Sequence, residues 1–127
     1  MVGISDYGAY IPLYRLGKDT KGWDSPVEKA IANFDEDSIT MAVAAVIDCL
    51  KGVDRQSIDS LFFASTTFPY SEKQSASLIA TAADLRTDIF TGDSTNSLRA
   101  STIALRMALD AVKGGSAKQA IVASADC

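Results

Sequence analysis

Residues 88–127 read DIFTGDSTNSLRASTIALRMALDAVKGGSAKQAIVASADC. Alternation and apolar spacing predict a short strand over Asp88 to Gly92 and a last strand over Gln119 to Ser124. Between them the pattern predicts a helix from about Asn96 to Lys113 that buries Leu98, Leu105, Leu109 and Val112. Gly114 and Gly115 stop it, because glycine takes the left-handed cap without steric cost. Two strands joined by a helix of this length are expected to be parallel. The start of such a helix gathers unpaired N–H groups and the positive end of the macrodipole, which favour developing negative charge. A cysteine there would have a lowered pKa. The chain instead offers Ser94, Thr95, Asn96, Ser97 and then Leu98.

The same alternation runs back towards the N-terminus. Ile58 to Ser65, IDSLFFAS, reads as a buried strand, followed by a turn through Pro69 and a helix of small residues from about Ser71 to Leu85. Asp35, Glu36, Asp37 and Ser38 open an earlier helix, with Asp37 or Ser38 as its cap. Ile39, Val43, Val46, Ile47 and Leu50 share one face of it, and Gly52 ends it. Val2 to Ile11 reads as a strand, and Leu13 to Asn33 as a long loop or broken helix. The expected order is β, loop, α, β, α, β, α, β. That order is an α/β fold with a mixed, mostly parallel sheet flanked by helices, formed by residues 1–127 as one unit.

Composition narrows the chemistry. With 127 residues and 47% apolar content the chain is long enough to bury one core. A net charge of −4 argues against nucleic acid and anionic membranes as main partners. The N-terminal stretch has no basic region followed by an apolar core, so no secretory signal is expected. Two cysteines, Cys49 and Cys127, make no disulfide framework, and a cytoplasmic setting is expected. There is no histidine, which excludes a Ser-His-Asp triad, a Cys-His pair and a His-ligated metal formed within this chain.

Each candidate site carries two readings. The hydroxyls of Ser94, Thr95 and Ser97 suit an anion or oxyanion pocket, but ordinary helix capping alone explains them and is the favoured reading. Ser97 as a nucleophile lacks a base to activate it. Asp35, Glu36 and Asp37 point in different directions at a helix start and serve capping better than metal ligation. Arg15, Lys18, Lys21 and Lys29 suit an anionic ligand such as a CoA phosphate, or a solvated basic loop. Cys49 falls in an apolar helical pattern as a core residue, and Cys127 ends the last strand. No glycine-rich phosphate loop is present.

Several segments together resemble the N-terminal half of the hydroxymethylglutaryl-CoA synthase branch of the thiolase superfamily. They are VGISDYGAYIPLYRL, DEDSITMA, FFASTTFPYSEKQSA and the stretch from Asp88 to Cys127. The resemblance implies a thiolase-like half-domain that handles coenzyme A thioesters as substrates, with no permanently bound cofactor and no metal. It implies a catalytic cysteine early in the long helix, and the matching position is Leu98. It implies an acid/base glutamate before the Phe68-Pro69-Tyr70 turn, and the matching position is Thr66. The family's histidine at the start of that turn is replaced by Phe68. The resemblance further implies a second half that brings the missing histidine, and a homodimer formed through the Asp88–Gly92 strand. Some cysteine-lacking relatives resemble aldolases that work beside a zinc-ribbon/OB-fold partner. The expected function is an acyl-CoA-handling enzyme that makes or cleaves C–C bonds without an acyl-cysteine. The alternatives are a catalytically silent subunit of a thiolase-like complex and a small stand-alone binding domain.

Overall fold

In a computed structural model describing residues 1–127, the strand Ser60–Ala64 (β3) decides the architecture. All five of its residues are buried, so it must be covered on both faces. It pairs in parallel with Phe90–Ser94 (β4) on one side and Ala120–Ser124 (β5) on the other, giving the order β4-β3-β5. Leu61 lies between Thr91 and Ile121 in the register, and Phe63 between Asp93 and Ala123.

Alternation sorts the core into two layers. Leu61, Phe63, Ile121 and Ala123 face one way and pack against the helices Ser38–Cys49 (α1) and Ser75–Ala82 (α2). Phe62 and Ala64 face the other way, against Ala100, Ala104 and Ala108 of the helix Ala100–Gly114 (α3). Burying Leu61 and Phe63 contributes roughly 1.5–3 kcal/mol each. α1 starts as expected: Asp37 accepts from the Thr40 amide at 2.8 Å, and the Thr40 hydroxyl accepts from the Asp37 amide at 2.8 Å. This reciprocal pair satisfies two otherwise open donors. Gly115 ends α3 in the left-handed region at φ 83°.

The α/β class stands, and several expectations are corrected. Residues 2–11 form no strand. No neighbouring strand offers them a ladder, and Ile4 and Ile11 are exposed. The segment is held instead at a few points: the Ala9 amide donates to Asp48 Oδ2 at 3.1 Å, and Tyr10 donates to Glu36. Gly8 lies so close to α1 that a Cβ there would stand 2.3 Å from the Cys49 nitrogen. The expected loop over residues 13–33 contains an antiparallel pair, Tyr14–Leu16 (β1) with Lys29–Ile31 (β2), separate from the parallel sheet.

The strand expected over Asp88–Gly92 runs two residues later. The helix expected from Asn96 starts at Ala100, because Asn96 takes a left-handed φ of 63° that no helix accommodates. The buried side of that helix is also different. Leu98 is 96% exposed and Leu105 is exposed, while Leu109 and Val112 are half-buried. The alanine stripe faces the sheet, and leucine side chains do not fit so close an approach. On α1, Ile47 is likewise exposed while Met41 and Ala42 are buried.

The alanine stripe supplies the first prediction. Ala104 is fully buried between α3 and β3. Ala104→Leu should destabilise the chain by about 1–3 kcal/mol through overpacking. Urea unfolding of the two proteins checks this, and equal midpoints would contradict the close packing of α3.

Candidate functional site

In a parallel sheet the open ground for a ligand lies beyond the carboxyl ends of the strands, where chain segments turn out towards the helices. Here the three strand ends deliver Ser65-Thr66-Thr67 after β3, Ser94-Thr95 at the end of β4, and Ser124-Ala125-Asp126-Cys127 at the end of β5. Backbone bonds hold these ends in register. The Ser65 amide donates to the Ser94 carbonyl at 3.2 Å, and the Ala125 amide donates to the Ala64 carbonyl at 3.3 Å.

Asp126 sits at the centre of this edge. Its Oδ1 accepts from the Thr66 amide at 2.6 Å, the Ser65 hydroxyl at 2.9 Å, the Thr66 hydroxyl at 3.0 Å and the Thr67 hydroxyl at 3.3 Å. Burial pushes the carboxyl up, but these donors outweigh it and hold Asp126 below the usual carboxylate range. The Thr67 hydroxyl in turn accepts from the Cys127 amide at 3.1 Å, and the Thr67 carbonyl accepts from the Ser38 hydroxyl of α1 at 2.9 Å. On the α3 side, the Ser101 and Ser124 hydroxyls are 2.6 Å apart, and Ser94 donates to the Ala100 carbonyl at 3.2 Å.

The residues singled out in the sequence divide accordingly. Thr66 stands in the hydroxyl and carboxylate cluster. Leu98 stands on the turn between β4 and α3, with its side chain exposed and no reactive atom to offer. Ser97 acts as a local cap: its hydroxyl accepts from the Arg99 amide at 3.1 Å. The helix N-cap, Arg99, makes no side-chain bond to the first turn of α3. Phe68 does packing work. Its ring stacks on Phe63 at 5.2 Å between centroids and 19° between planes, so this position belongs to the edge of the core.

The β1–β2 ribbon carries both Arg15 and Lys29 but on opposite faces, since Arg15 is paired with Ala30 and Lys29 with Leu16. The Arg15 guanidinium folds back on its own chain, donating to the carbonyls of Pro12, Leu13 and Tyr14. An open polar depression of about 480 Å³ adjoins it, lined by Lys18, Thr20 and Glu28 among others. Cys49 is half-buried on α1 and Cys127 is exposed, and both thiols are free. No three Cys, Asp or Glu side chains converge as a metal site, and no helix is long and apolar enough to cross a membrane.

Two carboxylates that organise this edge escape the sequence reading. Asp126 carries a signal in hindsight: an acidic residue two places beyond the last strand, at the same sheet edge as a run of three hydroxyls. Asp93 carries none. Its two oxygens accept from the Ser75 and Ala76 amides, each at 2.7 Å, so a carboxylate on β4 caps α2 from a distance of eighteen residues in the chain.

Comparison with known proteins bears on the fold. No protein-family model matches the chain. Hydroxymethylglutaryl-CoA synthase of Pyrococcus horikoshii is 37% identical over 98% of this chain and 38% of that protein. The enzyme of the same name from Methanocaldococcus jannaschii is 31% identical over 99% of this chain and 41% of that protein. The chain therefore spans about two fifths of the length of these relatives. Among solved structures, MvaS in complex with 3-hydroxy-3-methylglutaryl coenzyme A matches 98% of this chain and 34% of its own, with a TM-score of 0.86 and 22% identity. A 3-oxoacyl-(acyl-carrier-protein) synthase III matches 97% of this chain and 41% of its own, with a TM-score of 0.86 and 19% identity. The fold is thiolase-like.

The cap on α2 gives the second prediction. Asp93→Ala should cost about 1–2 kcal/mol, since two first-turn amides lose their acceptor. Thermal unfolding followed by circular dichroism measures it, and an unchanged midpoint would contradict the assignment.

Proposed function

We infer that this chain, related over its whole length to the hydroxymethylglutaryl-CoA synthase-like branch of the thiolase superfamily, forms one wall of an acyl-CoA site that works without an acyl-cysteine. One observation carries this reading: the frame for a nucleophile is intact while the nucleophile is absent. β4 feeds a turn, the turn opens α3, and the start of α3 has no side-chain cap of its own. Leu98 occupies the turn with its side chain in the open. A leucine accepts no acyl group, so covalent catalysis through this residue is closed.

Thr66 and Phe68 support the same conclusion. Threonine does not titrate near neutral pH, and Phe68 is committed to Phe63. Acid/base groups for making or cleaving a C–C bond would then come from outside this chain, from a second thiolase-like half or from a zinc-ribbon/OB-fold partner. The open edge of β4 suits a homodimer through strand pairing, because an edge strand presents unpaired backbone groups. Arg15 and Lys29 on the β1–β2 ribbon are the cations proposed for the CoA phosphates. Two free thiols fit a reducing, cytoplasmic setting. Loss of reactive groups at Leu98, Thr66 and Phe68 together favours a second reading, a catalytically silent subunit of a thiolase-like complex.

Calorimetric titration of the complete protein with 3-hydroxy-3-methylglutaryl-CoA and with acetyl-CoA tests the binding claim. Saturable binding of either is expected, and binding of neither sinks the reading. The frame itself is tested by Leu98→Cys. On incubation with acetyl-CoA, peptide mass spectrometry should find the acetyl adduct on residue 98 well before the exposed Cys127, which serves as an internal control. Equal labelling of the two thiols would mean that the start of α3 activates nothing. Turnover of a CoA thioester by the unmodified complete protein separates the enzyme from the silent subunit.

A further inference from the structure

The hydroxyls at the sheet edge have a proton arithmetic that fixes their polarity. A serine or threonine hydroxyl has one proton to give and two lone pairs to receive with. The Ser65, Thr66 and Thr67 hydroxyls all reach Asp126 Oδ1, an ionised oxygen that only accepts. Ser65 also accepts from the Thr67 amide at 3.0 Å, and Thr67 accepts from the Cys127 amide at 3.1 Å. These two hydroxyls are thereby satisfied in both senses. The Thr66 hydroxyl sends its proton to Asp126, and no side-chain or backbone donor of the chain fills its lone pairs. Thr66 is exposed, so those lone pairs face whatever occupies the sheet edge.

We propose that Asp126 is a positioning residue: it fastens the segment Ser65-Thr66-Thr67 to the end of β5 and turns the Thr66 hydroxyl into a hydrogen-bond acceptor towards the site. A ligand group that meets Thr66 must therefore donate, as a hydroxyl or an amide N–H does. The ligand's identity rests on the acyl-CoA reading, while the positioning role rests on geometry alone. The groups that hold Asp126 are neutral hydroxyls and one amide, and its titratable chain neighbour is Cys127. With no cation in the arrangement, the order depends on the carboxylate staying ionised. Protonation would make Asp126 a donor, force one hydroxyl to reverse, and loosen the segment.

Amide NMR of the full chain tests this directly. The Thr66, Thr67 and Cys127 amide resonances should move together on acidification, with one shared midpoint below the ordinary aspartate value of about 3.9. The Lys118 amide, which donates to Asp59 at 2.6 Å, reports an independent carboxylate in the same sample. Asp126→Asn keeps the shape and one acceptor oxygen but removes the charge. In that variant the three amides should stop titrating while Lys118 continues. At neutral pH, hydrogen exchange of the Thr66 and Cys127 amides should quicken by about tenfold or more in Asp126→Asn, as loss of a charge-assisted acceptor requires. The Leu61 and Ile121 amides should exchange as before. Three amides with separate midpoints, or unchanged exchange at Thr66 and Cys127 in the variant, would overturn the proposal. The neutral-pH exchange decides even if acid unfolds the chain first. Failure of the complete protein to bind a CoA thioester would remove the functional reading and leave these amide signatures unaffected.

Discussion

The parallel pairing of β3 with both of its neighbours is the constraint from which the rest of this molecule follows. A parallel strand cannot be joined to its neighbour by a hairpin, so each connection must cross over a face of the sheet. α2 makes the crossing from β3 to β4, and α3 makes the crossing from β4 to β5. The two helices lie on opposite faces, which is why β3 is buried on both sides and reads as an unbroken apolar run. Direction then does the remaining work. Parallel strands all end at the same edge, so the three strand ends, the helix starts beside them and their polar side chains gather on one side of the sheet. Ser65, Ser94, Ser124 and Asp126 meet there because the strands before them run the same way.

The parts of this arrangement visible in the sequence are those governed by period and punctuation. β3, β5 and the start and end of α1 follow from apolar runs, from the cap at Asp37 or Ser38, and from Gly52. The course of residues 2–11 was not visible, because alternation shows which residues suit a strand and says nothing of whether a neighbouring strand exists. The buried face of α3 was hidden for a different reason. Periodicity weights large apolar side chains, and Leu98, Leu105, Leu109 and Val112 outweigh three alanines on any such measure. The sheet accepts the alanines because a close helix–sheet approach excludes leucine. The site was half legible. The hydroxyl run after β3 and the hydroxyls before α3 stand out in the sequence, but Asp126 and Asp93 act across 59 to 61 and 17 to 18 residues of chain respectively. No local pattern reports such a distance.

Carboxylates in this chain serve structure through charge. Asp126, Asp59, Asp48 and Glu36 all lie below the usual carboxylate range, each held there by backbone or side-chain donors. A group whose folded pKa is depressed adds stability above its unfolded value and loses it as pH falls through the folded one. Two of the four pin the segment 2–11: Asp48 receives the Ala9 amide, and Glu36 receives Tyr10. Asp59 receives the Lys118 and Gln119 amides at the entry to β5. Acid should therefore loosen both the N-terminal segment and the sheet edge before it reaches the apolar layers around β3.

Frame and chemistry are separable in this fold, and the chain shows where the division falls. The position of the start of α3 over the strand ends is set by Ala100, Ala104 and Ala108, which bring the helix close to Phe62 and Ala64. None of those contacts involves residue 98. An exposed side chain on the turn before the helix makes no packing demand, so cysteine and leucine are equally acceptable there to the fold. Position 68 differs, because Phe68 has been drawn into a stack with Phe63 and contributes to the core. Placing a cysteine at 98 would therefore leave the packing untouched, whereas placing a histidine at 68 would disturb the stack with Phe63 at the same edge. Substitution at the two positions has unequal structural consequences, and the position that costs the fold nothing is the one before the helix start.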